Sequence, residues 1–421
     1  MLLERVSAVL AAARQEVFVG VEMPSAVFYD LGEFRGAIGR IQTAFPATSL
    51  HAVAVKANPL SGLLREALRA GMGAECASLP ELHHALRLGF PAERIFFDSP
   101  AKTPAELRFA ADHGIYINAD NLQEVVRLAE LAGRTAMPVR AGIRVNPQTG
   151  AGDYAGTSTA TATSKFGVPL RDDREALLAA FDRYSWLVGL HVHTGSQVCP
   201  LDLVVRGVAA IAELAREIER RTGRPLEIMD IGGGLPADYG ADAPDTPFED
   251  YAARLRREVP DLARYRLVTE FGRAVSAKAG WAASRVEYTK QSGGRHIAVI
   301  HLGADFMVRT AYAPEVWTHR VTLHEPGGAP KTGPAVCQDI AGPLCFSGDL
   351  VAAARELPLA EPGDIVVIHD AGAYTLSMWS RYNSRQAPPV YAYEAAKDGG
   401  ISLHLVKPAE TVDNVLRFWG P

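Results

Sequence analysis

The feature that most constrains this chain of 421 residues is an alternation of short β-branched or aromatic runs with helix-period segments, from about residue 50 to residue 271. The segments between the runs carry apolar residues every three or four positions and commonly end at glycine, which is typical of helices. The strand-like runs are SLHAVAV, Gly73 to Cys76, RIFFD, IYINAD, VRAGIRVN, LVGLHVH, LEIMDIG and YRLVTEF. Because a doubly wound sheet usually has fewer strands, eight successive βα units predict a closed (β/α)8 TIM barrel of the α/β class.

The chain changes character after about residue 283, where strand-like runs are separated by turns rich in proline and glycine. Runs such as RHIAVIHLG, HRVTLHE, DIVVIHDAG and VYAYE predict a second, β-rich domain of barrel or sandwich type. PSAVFYD, residues 24–30, is also strand-like and is expected to pair with that domain. The predicted division is therefore a barrel over residues 31–282 and a β-rich domain formed by residues 1–30 together with residues 283–421.

Composition argues against several classes of partner. The net charge is −5 and the basic residues are scattered, so nucleic acid is not an expected partner. The four cysteines contain no C-x-x-C pair, which indicates neither a zinc site nor a disulfide framework and favours a cytoplasmic protein. MLLERVSAVLAAARQEV predicts a short amphipathic helix rather than a signal peptide. Apolar runs fall short of the roughly 20 residues needed to cross a bilayer, so no membrane partner is expected.

The segment GAGDYAGTSTATATS, residues 150–164, has no periodicity that would form a core. Two interpretations are equally favoured, a disordered surface loop and a mobile lid over a site.

Polar residues at the C-terminal ends of barrel strands are the candidates for chemistry, because catalytic groups of such barrels come from these ends. Lys56 follows the apolar run HAVAV, where partial desolvation would favour the neutral amine that Schiff-base chemistry requires. A lysine that snorkels from a strand end is the alternative, and it is favoured for this residue alone. Glu270 in TEFGR could keep a pyridine nitrogen protonated.

Other strand ends carry groups suited to an aromatic or anionic ligand. The three glycines in DIGGGL would let backbone N–H groups converge on a phosphate, although a tight turn explains them nearly as well. His193 in HVHTGSQ could stack on an aromatic cofactor, whereas a lone histidine there is more often a core residue. Arg273 could reach a phosphate or form a salt bridge with Glu270.

Six segments together carry a resemblance to a known family: AVKAN, HVHTGSQ, DIGGGL, EFGR, GPLCFSGD and DAGAYTLSMWSRYNSR. In identity and order they resemble the diaminopimelate/ornithine decarboxylase group of pyridoxal 5'-phosphate (PLP) enzymes, which have the alanine-racemase-like fold, type III. The resemblance extends from about residue 24 to residue 395. It implies a PLP cofactor, an amino-acid substrate and a homodimer with shared active sites.

The resemblance also implies roles for individual residues. Lys56 matches the Schiff-base lysine, His193 the histidine stacked on the PLP ring and Glu270 the partner of the pyridine nitrogen. Cys345 matches the cysteine that reaches in from the other subunit and protonates Cα after carbon dioxide leaves. The implied reaction is decarboxylation through a quinonoid intermediate. Further cofactor contacts are implied for Ser196, Gly232, Gly233, Gly234, Arg273 and Tyr374.

The pattern departs from the family at the substrate end. Diaminopimelate decarboxylases usually have an acidic residue after the cysteine, facing the charged distal end of the substrate, and here this position is Phe346. An unpaired buried ammonium group costs several kcal/mol. In MVRTAYAPEVW, Arg309 is followed by Tyr312 one residue sooner than expected. We therefore expect a substrate other than meso-diaminopimelate, with a neutral, acylated or carboxylate-bearing distal group near Phe346 and Arg309 or Arg381. Arg381 could equally be a solvated surface residue.

Three alternatives remain open. The chain could be a PLP racemase or epimerase, but alanine racemases place an arginine against the pyridine nitrogen, where this chain has Glu270. It could be an authentic diaminopimelate decarboxylase of lysine biosynthesis. A PLP-binding regulatory protein is disfavoured, because such proteins usually lack the β domain that supplies Cys345 and Tyr374. No metal-ligand cluster offers a different mechanism, so no metal is expected.

Overall fold

The structure, a computed structural model, describes residues 2–18, 24–152, 154, 156, 158–197, 199–240, 248–396 and 400–420. It divides into two compact units. The barrel unit comprises Arg35–Ala237 and Thr246–Val275, and the β-rich unit comprises Met1–Phe34, Asp238–Asp245 and Ser276–Pro421. Asp153, Ala155 and Thr157, within the predicted loop, lie outside the described residues.

The β-rich unit begins with helix α1 (Leu2–Val17) and strand β1 (Ser25–Asp30). The barrel unit then supplies nine parallel strands. They are β2 (Leu50–Ala54), β3 (Gly73–Cys76), β4 (Ile95–Asp98), β5 (Tyr116–Ala119), β6 (Ala141–Asn146), β7 (Val168–Pro169), β8 (Leu187–His191), β9 (Ile228–Asp230) and β10 (Arg266–Thr269). The order β5-β4-β3-β2-β10-β9-β8-β6 is closed by pairing of β5 with β6, and the two-residue β7 attaches to β6. The predicted eight-stranded barrel is confirmed.

Helices separate the barrel strands and begin and end where the sequence signals them. Thr103 and Glu106 form a capping box at the start of one helix, and Gly89, in the left-handed conformation, ends another. The helices are α2 (Leu31–Ala44), α3 (Ser61–Arg69), α4 (Leu79–Leu88), α5 (Pro104–Asp112), α6 (Leu122–Leu131), α7 (Arg174–Arg183), α8 (Leu201–Thr222), α9 (Phe248–Glu258) and α10 (Arg273–Ser276). Because every strand of the closed sheet is parallel, their carboxyl ends meet at one face of the barrel.

The β-rich unit is built on one sheet that β1 joins. Its other strands are β11 (Gly280–Ser292), β12 (Arg295–Ile300), β13 (Val321–His324), β14 (Ala335–Ala341), β15 (Leu350–Pro358), β16 (Ile365–Ile368), β17 (Val390–Ala395) and β18 (Ile401–Lys407), and its other helices are α11 (Val308–Tyr312) and α12 (Val412–Trp419). β1 pairs with β11 antiparallel and with β17 parallel, which confirms the expected pairing of PSAVFYD.

The core of the β-rich unit includes the N-terminal helix. Val6, Val9 and Leu10 of α1 are buried in one cluster with Phe28 and Trp281, whose rings stack at 4.4 Å. The predicted amphipathic helix is thus a structural element of this unit. The unit boundaries fall at residues 34/35 and 275/276, whereas the sequence placed them at 30/31 and 282/283. The second boundary comes earlier than predicted because β11 already begins at Gly280. In the part of the chain that the structure describes, no helix is long and apolar enough to span a membrane.

Candidate active site

Lys56 lies one turn beyond β2, in the short helical segment Val55–Ala57. Its side chain is 36% exposed, so the amine lies between the barrel interior and its open end. Nζ is 2.5 Å from both carboxylate oxygens of Glu75, which is completely buried on β3. Strand register brings Lys56 and Glu75 together, because β2 and β3 are adjacent strands in which Ala54 is aligned with Glu75. The lysine is therefore held by an ion pair at a strand end.

The ionisation of Glu75 is finely balanced. Burial, and then the charges of Glu270 and Asp98, raise the pKa of Glu75 to about 8, while Lys56 acts in the opposite direction. A carboxyl group of this kind can take up or release a proton near neutral pH at the oxygen that faces the Lys56 amine. The pair is thus suited to adjusting the protonation of Nζ.

Glu270 follows β10 directly and is 2% exposed. His191, the last residue of β8, places Nε2 3.3 Å from Glu270 Oε2, and its Nδ1 lies 3.8 Å from Asp98 Oδ1. Burial alone would raise the pKa of Glu270, but the adjacent His191 outweighs it and the pKa lies below the usual value. Glu270 is therefore an ionised carboxylate in the barrel interior.

Two further carboxyl groups, those of Asp98 and Asp230, lie near Glu270, and they differ from each other in charge. Asp98 pairs with Arg144 at 3.0 Å, and although burial opposes ionisation, Arg144 and then His191 lower its pKa below the usual range. Asp230, on β9, has its pKa raised well above its usual value by burial and by the charge of Glu270. Asp98 is thus ionised and Asp230 protonated beside the same glutamate.

His193 lies two residues beyond β8 and is half-buried. The Gly233 backbone N–H donates to His193 Nδ1 at 3.3 Å, so the proton of the neutral ring sits on Nε2. Burial, followed by the charges of Arg144 and Lys56, lowers the pKa of His193 to about 3. The ring is neutral at physiological pH and suited to stacking rather than to carrying charge.

The three glycines of DIGGGL occupy positions that no larger residue could fill. A Cβ at Gly232 would clash with the Val192 carbonyl, one at Gly233 with the Glu270 carbonyl and one at Gly234 with the Gly195 carbonyl. Gly232 and Gly234 also have φ values of 64° and 94°, in the left-handed region. Close approach of neighbouring strand ends therefore requires glycine here.

Arg273 and Ser196 lie at the same end of the barrel. Arg273 begins α10, is 3% exposed and donates from Nη2 to Ser196 Oγ at 3.4 Å. A buried guanidinium next to a hydroxyl group is suited to binding an anion. Seven of the predicted residues, Lys56, His193, Ser196, Gly232, Gly233, Gly234 and Glu270, follow barrel strands directly or within one turn or loop.

The predicted residues of the β-rich unit lie in loops and short helices. Cys345 is exposed in the loop between β14 and β15, and its backbone is held by Asn383 Oδ1, which accepts from its N–H at 2.8 Å, and by the Tyr382 hydroxyl, which donates to its carbonyl at 3.0 Å. Phe346, the next residue, is 47% exposed. The two side chains are presented on an anchored loop.

Arg309 packs between two aromatic rings of its own unit. Its guanidinium carbon is 4.5 Å from the ring centroids of both Trp317 and Tyr374. Tyr374 adopts φ 56°, an uncommon conformation for a residue with a side chain. Tyr312, at the end of α11, is 53% exposed.

Arg381 makes a two-pronged ion pair with Glu410. Its Nη1 and Nη2 lie 2.5 Å and 2.7 Å from the two carboxylate oxygens. The Glu410 carboxylate also accepts the Ala387 backbone N–H at 2.9 Å. The Arg381 guanidinium is therefore paired within the β-rich unit, and its role in substrate binding stays a prediction.

Sequence reasoning missed the buried charges of the barrel interior. The signal was present, because each lies at or near the carboxyl end of a predicted strand, the position already used to select Lys56 and Glu270. The missed residues are Glu75, Asp98, Arg144, His191 and Asp230. The donor atoms of His191, His193 and Glu270 lie within 4.8 Å of one another, a spacing that could also hold a metal ion.

A comparison with known families decides what kind of site this is. The family described as "Pyridoxal-dependent decarboxylase, pyridoxal binding domain" matches residues 31–277, more than half of the chain. The chain belongs to this family. Its cofactor is therefore PLP and its activity that of a PLP-dependent carboxy-lyase, as the sequence predicted.

Individual relatives extend the likeness over both units. The diaminopimelate decarboxylase of Methanothermobacter thermautotrophicus is 31% identical over 390 residues, which cover 91% of this chain and 86% of the relative. That of Bacteroides thetaiotaomicron is 32% identical over 374 residues, covering 86% and 94%. The crystal structure of diaminopimelate decarboxylase from Helicobacter pylori complexed with L-lysine has a TM-score of 0.85 at 26% identity, covering 96% and 98%.

Proposed function

We propose that PLP is held at the carboxyl end of the barrel by Lys56, His193, Glu270 and the residues around Gly232–Gly234. The observation that carries the proposal is the ionised Glu270 carboxylate, buried among strand ends with His191 Nε2 3.3 Å from its Oε2. A buried carboxylate of this kind suits a protonated ring nitrogen. The neutral face of His193 suits the aromatic ring, and the glycines with Arg273 and Ser196 suit a phosphate.

The bound cofactor would supply an electron sink for the bond that breaks when carbon dioxide leaves. The chain's own residues have separate tasks. Lys56 provides the amine for covalent attachment, and Glu75 accepts or returns a proton at Nζ. Glu270 holds a proton at the ring nitrogen, which favours decarboxylation.

The β-rich unit contributes the other groups of the proposed site. Tyr374 is proposed as a phosphate contact and the Cys345 thiol as the acid that protonates Cα of the product. Cys345 is exposed, in keeping with a group that serves the active site of a second subunit. We accordingly propose a cytoplasmic homodimer with shared active sites.

The substrate is proposed to be an amino acid other than meso-diaminopimelate, with a neutral, acylated or carboxylate-bearing distal group. Phe346 offers that group an exposed aromatic ring beside Cys345. The nearby acid, Asp349, is 3% exposed and accepts the backbone N–H groups of Ala304 and Leu344, so it is occupied in holding the loop. An ammonium group would find no exposed carboxylate on this loop segment, which the structure describes throughout, whereas Arg309 and Tyr312 suit an acidic or polar group.

Authentic diaminopimelate decarboxylation is the second candidate. It is favoured by the relatives of that name, which are 31% and 32% identical to the chain over most of their length. The two candidates differ only in the distal group of the substrate and make the same use of the barrel.

A panel of amino acids distinguishes the two candidates. Release of carbon dioxide is measured with meso-diaminopimelate, lysine and ornithine, and with glutamate, glutamine and Nε-acylated lysine. The proposal expects a higher kcat/KM in the second group. A preference for meso-diaminopimelate would overturn the substrate proposal and establish the second candidate, while borohydride labelling of Lys56 would still test the cofactor site on its own.

A further inference from the structure

His191 lies between two buried carboxylates. Its Nε2 is 3.3 Å from Glu270 Oε2, and its Nδ1 is 3.8 Å from Asp98 Oδ1. The histidine side chain is 0% exposed, and those of Asp98 and Glu270 are 4% and 1% exposed. Arg144 holds the far oxygen of Asp98 at 3.0 Å. The four side chains form a continuous array that ends at Glu270.

Strand register fixes this array. His191 ends β8 and is aligned with Arg144 on β6 and with Asp230 on β9. Asp98 ends β4, and Glu270 follows β10. The imidazole is thus placed by the barrel itself and not by a loop.

The array leaves polar atoms without hydrogen bonds. Within the described ranges, His191 Nδ1 and Asp98 Oδ1 have no hydrogen-bond partner, and the 3.3 Å contact of His191 Nε2 with Glu270 Oε2 is longer than an ordinary charge-assisted hydrogen bond. Buried polar groups are normally paired, because leaving them unpaired costs free energy. Stability alone therefore does not account for a histidine here, whereas a ligand that approaches Glu270 would account for it.

We propose that His191, with the Asp98 carboxylate 3.8 Å behind its ring, is a positioning residue for Glu270: it keeps the carboxylate ionised and turned toward the cofactor, so that the shared proton resides on the ring nitrogen. The proposal rests on the assignment of Glu270 to that nitrogen. His191 itself touches neither substrate nor cofactor and acts through the glutamate.

The surrounding charges support this direction. His191 and Lys56 favour the ionised form of Glu270, while burial and Asp98 oppose it. Of the two neighbouring carboxyl groups Asp230 and Glu270, Asp230 is the protonated one. Its oxygens accept hydrogen bonds from Asn118 Nδ2 at 3.1 Å and from the Gly232 N–H at 3.0 Å. Because His191 contacts Glu270 directly and would act on a ring nitrogen only through that glutamate, its loss would raise the proton affinity of the carboxylate more than that of the ring.

The test uses the full-length holoenzyme loaded with PLP that carries ¹⁵N in the ring. The ¹⁵N chemical shift reports directly whether the ring nitrogen is protonated, and it requires no substrate. In His191→Gln, the ratio of protonated to unprotonated ring nitrogen should fall at least about tenfold, which corresponds to one pKa unit between the two groups. His191→Asn, which also removes the imidazole, should move the signal in the same direction. A chelator is present throughout, because His191, His193 and Glu270 could bind a metal ion.

His51→Gln is the matched control. His51 is also buried on a barrel strand, but its partner is Thr269 Oγ1 at 2.9 Å. This variant should keep the wild-type ¹⁵N signal, and Glu270→Gln should lose the protonated signal.

The outcomes separate the two assignments. If Glu270→Gln loses the ring proton while His191→Gln and His191→Asn keep it, the inference about His191 is wrong and the role of Glu270 stands. If Glu270→Gln keeps it, or the wild type takes up no PLP, both assignments are wrong. Should His191→Gln not fold, His191→Asn decides in its place, since it removes the same imidazole and leaves a smaller amide.

Discussion

The two units of this decarboxylase place their candidate residues in different ways. In the barrel, Lys56, Glu75, His191 and Glu270 lie at strand ends, and the closed sheet brings Lys56 within 2.5 Å of Glu75 and His191 within 3.3 Å of Glu270. In the β-rich unit, Cys345, Phe346 and Tyr312 are exposed on loops or at the end of a short helix. Under the proposed function, the barrel fixes the general chemistry, whereas substrate choice can change in exposed loops without disturbing a core.

The largest effect is expected for Lys56→Ala, which tests the barrel side of the comparison. Loss of the amine should lower kcat by on the order of 10³-fold or more, since an attached catalytic group is removed. Borohydride should no longer fix PLP to the protein. Lys290→Ala, an exposed lysine on β11, serves as the control. Covalent labelling that persists in Lys56→Ala would place the cofactor elsewhere.

Acid should destabilise the β-rich unit through His369. His369 is 2% exposed, its Nε2 is 2.8 Å from Thr322 Oγ1, and burial, with the charges of Arg320 and His324, lowers its pKa from 6.5 to about 3. Because a histidine with a depressed folded-state pKa binds protons preferentially when unfolded, its stability contribution is present above pH 6.5 and declines as pH falls.

Between pH 7 and pH 5 this histidine should lower the free energy of unfolding by about 2 kcal/mol. Denaturant unfolding at several pH values measures the slope. The slope should be shallower in His369→Gln and unchanged in His404→Gln, which alters an exposed histidine on β18. Equal slopes in all three proteins would contradict the expectation.

Phe346→Glu should change substrate preference without changing the barrel. A carboxylate next to Cys345 should raise kcat/KM for meso-diaminopimelate or lysine by about 10-fold or more, because a hydrogen bond to a charged group contributes about 1.5–3 kcal/mol. PLP absorbance should stay as in the wild type. Leu359→Glu, which alters another exposed apolar residue of this unit, should leave the preference unchanged. A loss of activity on every substrate would argue that Phe346 has a structural role.

The smallest effect is expected for Arg381→Ala. Since its guanidinium is paired with Glu410, the change should cost about 1 kcal/mol of stability and leave KM within about twofold. Thermal unfolding and steady-state kinetics measure the two quantities. A rise in KM with kcat unchanged would instead support the role in substrate binding that the sequence suggested.

Much of the fold could be predicted from the sequence, because each element is specified locally. All eight predicted runs of the barrel became strands, and PSAVFYD joined the second sheet. The buried charges were harder to find. Glu75 and His191 lie in the strands GAEC and LVGLH. In the sequence, a single polar residue at such a position is typical of an ordinary strand end and does not indicate a functional site. Only closure of the barrel brings Glu75 to Lys56, on adjacent strands, and His191 to Glu270, on strands separated by β9.

By itself, the sequence determined the barrel, the family and the cofactor, since alternating βα periodicity and short glycine-rich or lysine-containing motifs are local properties of the chain. Only the tertiary structure decided which charges face one another. Glu270 and Asp230 are both acidic residues near strand ends, yet the first is ionised and the second protonated. The reason is physical: in a buried site, the pKa depends on which charges lie a few ångströms away, and closure of the barrel brings together residues far apart in the chain.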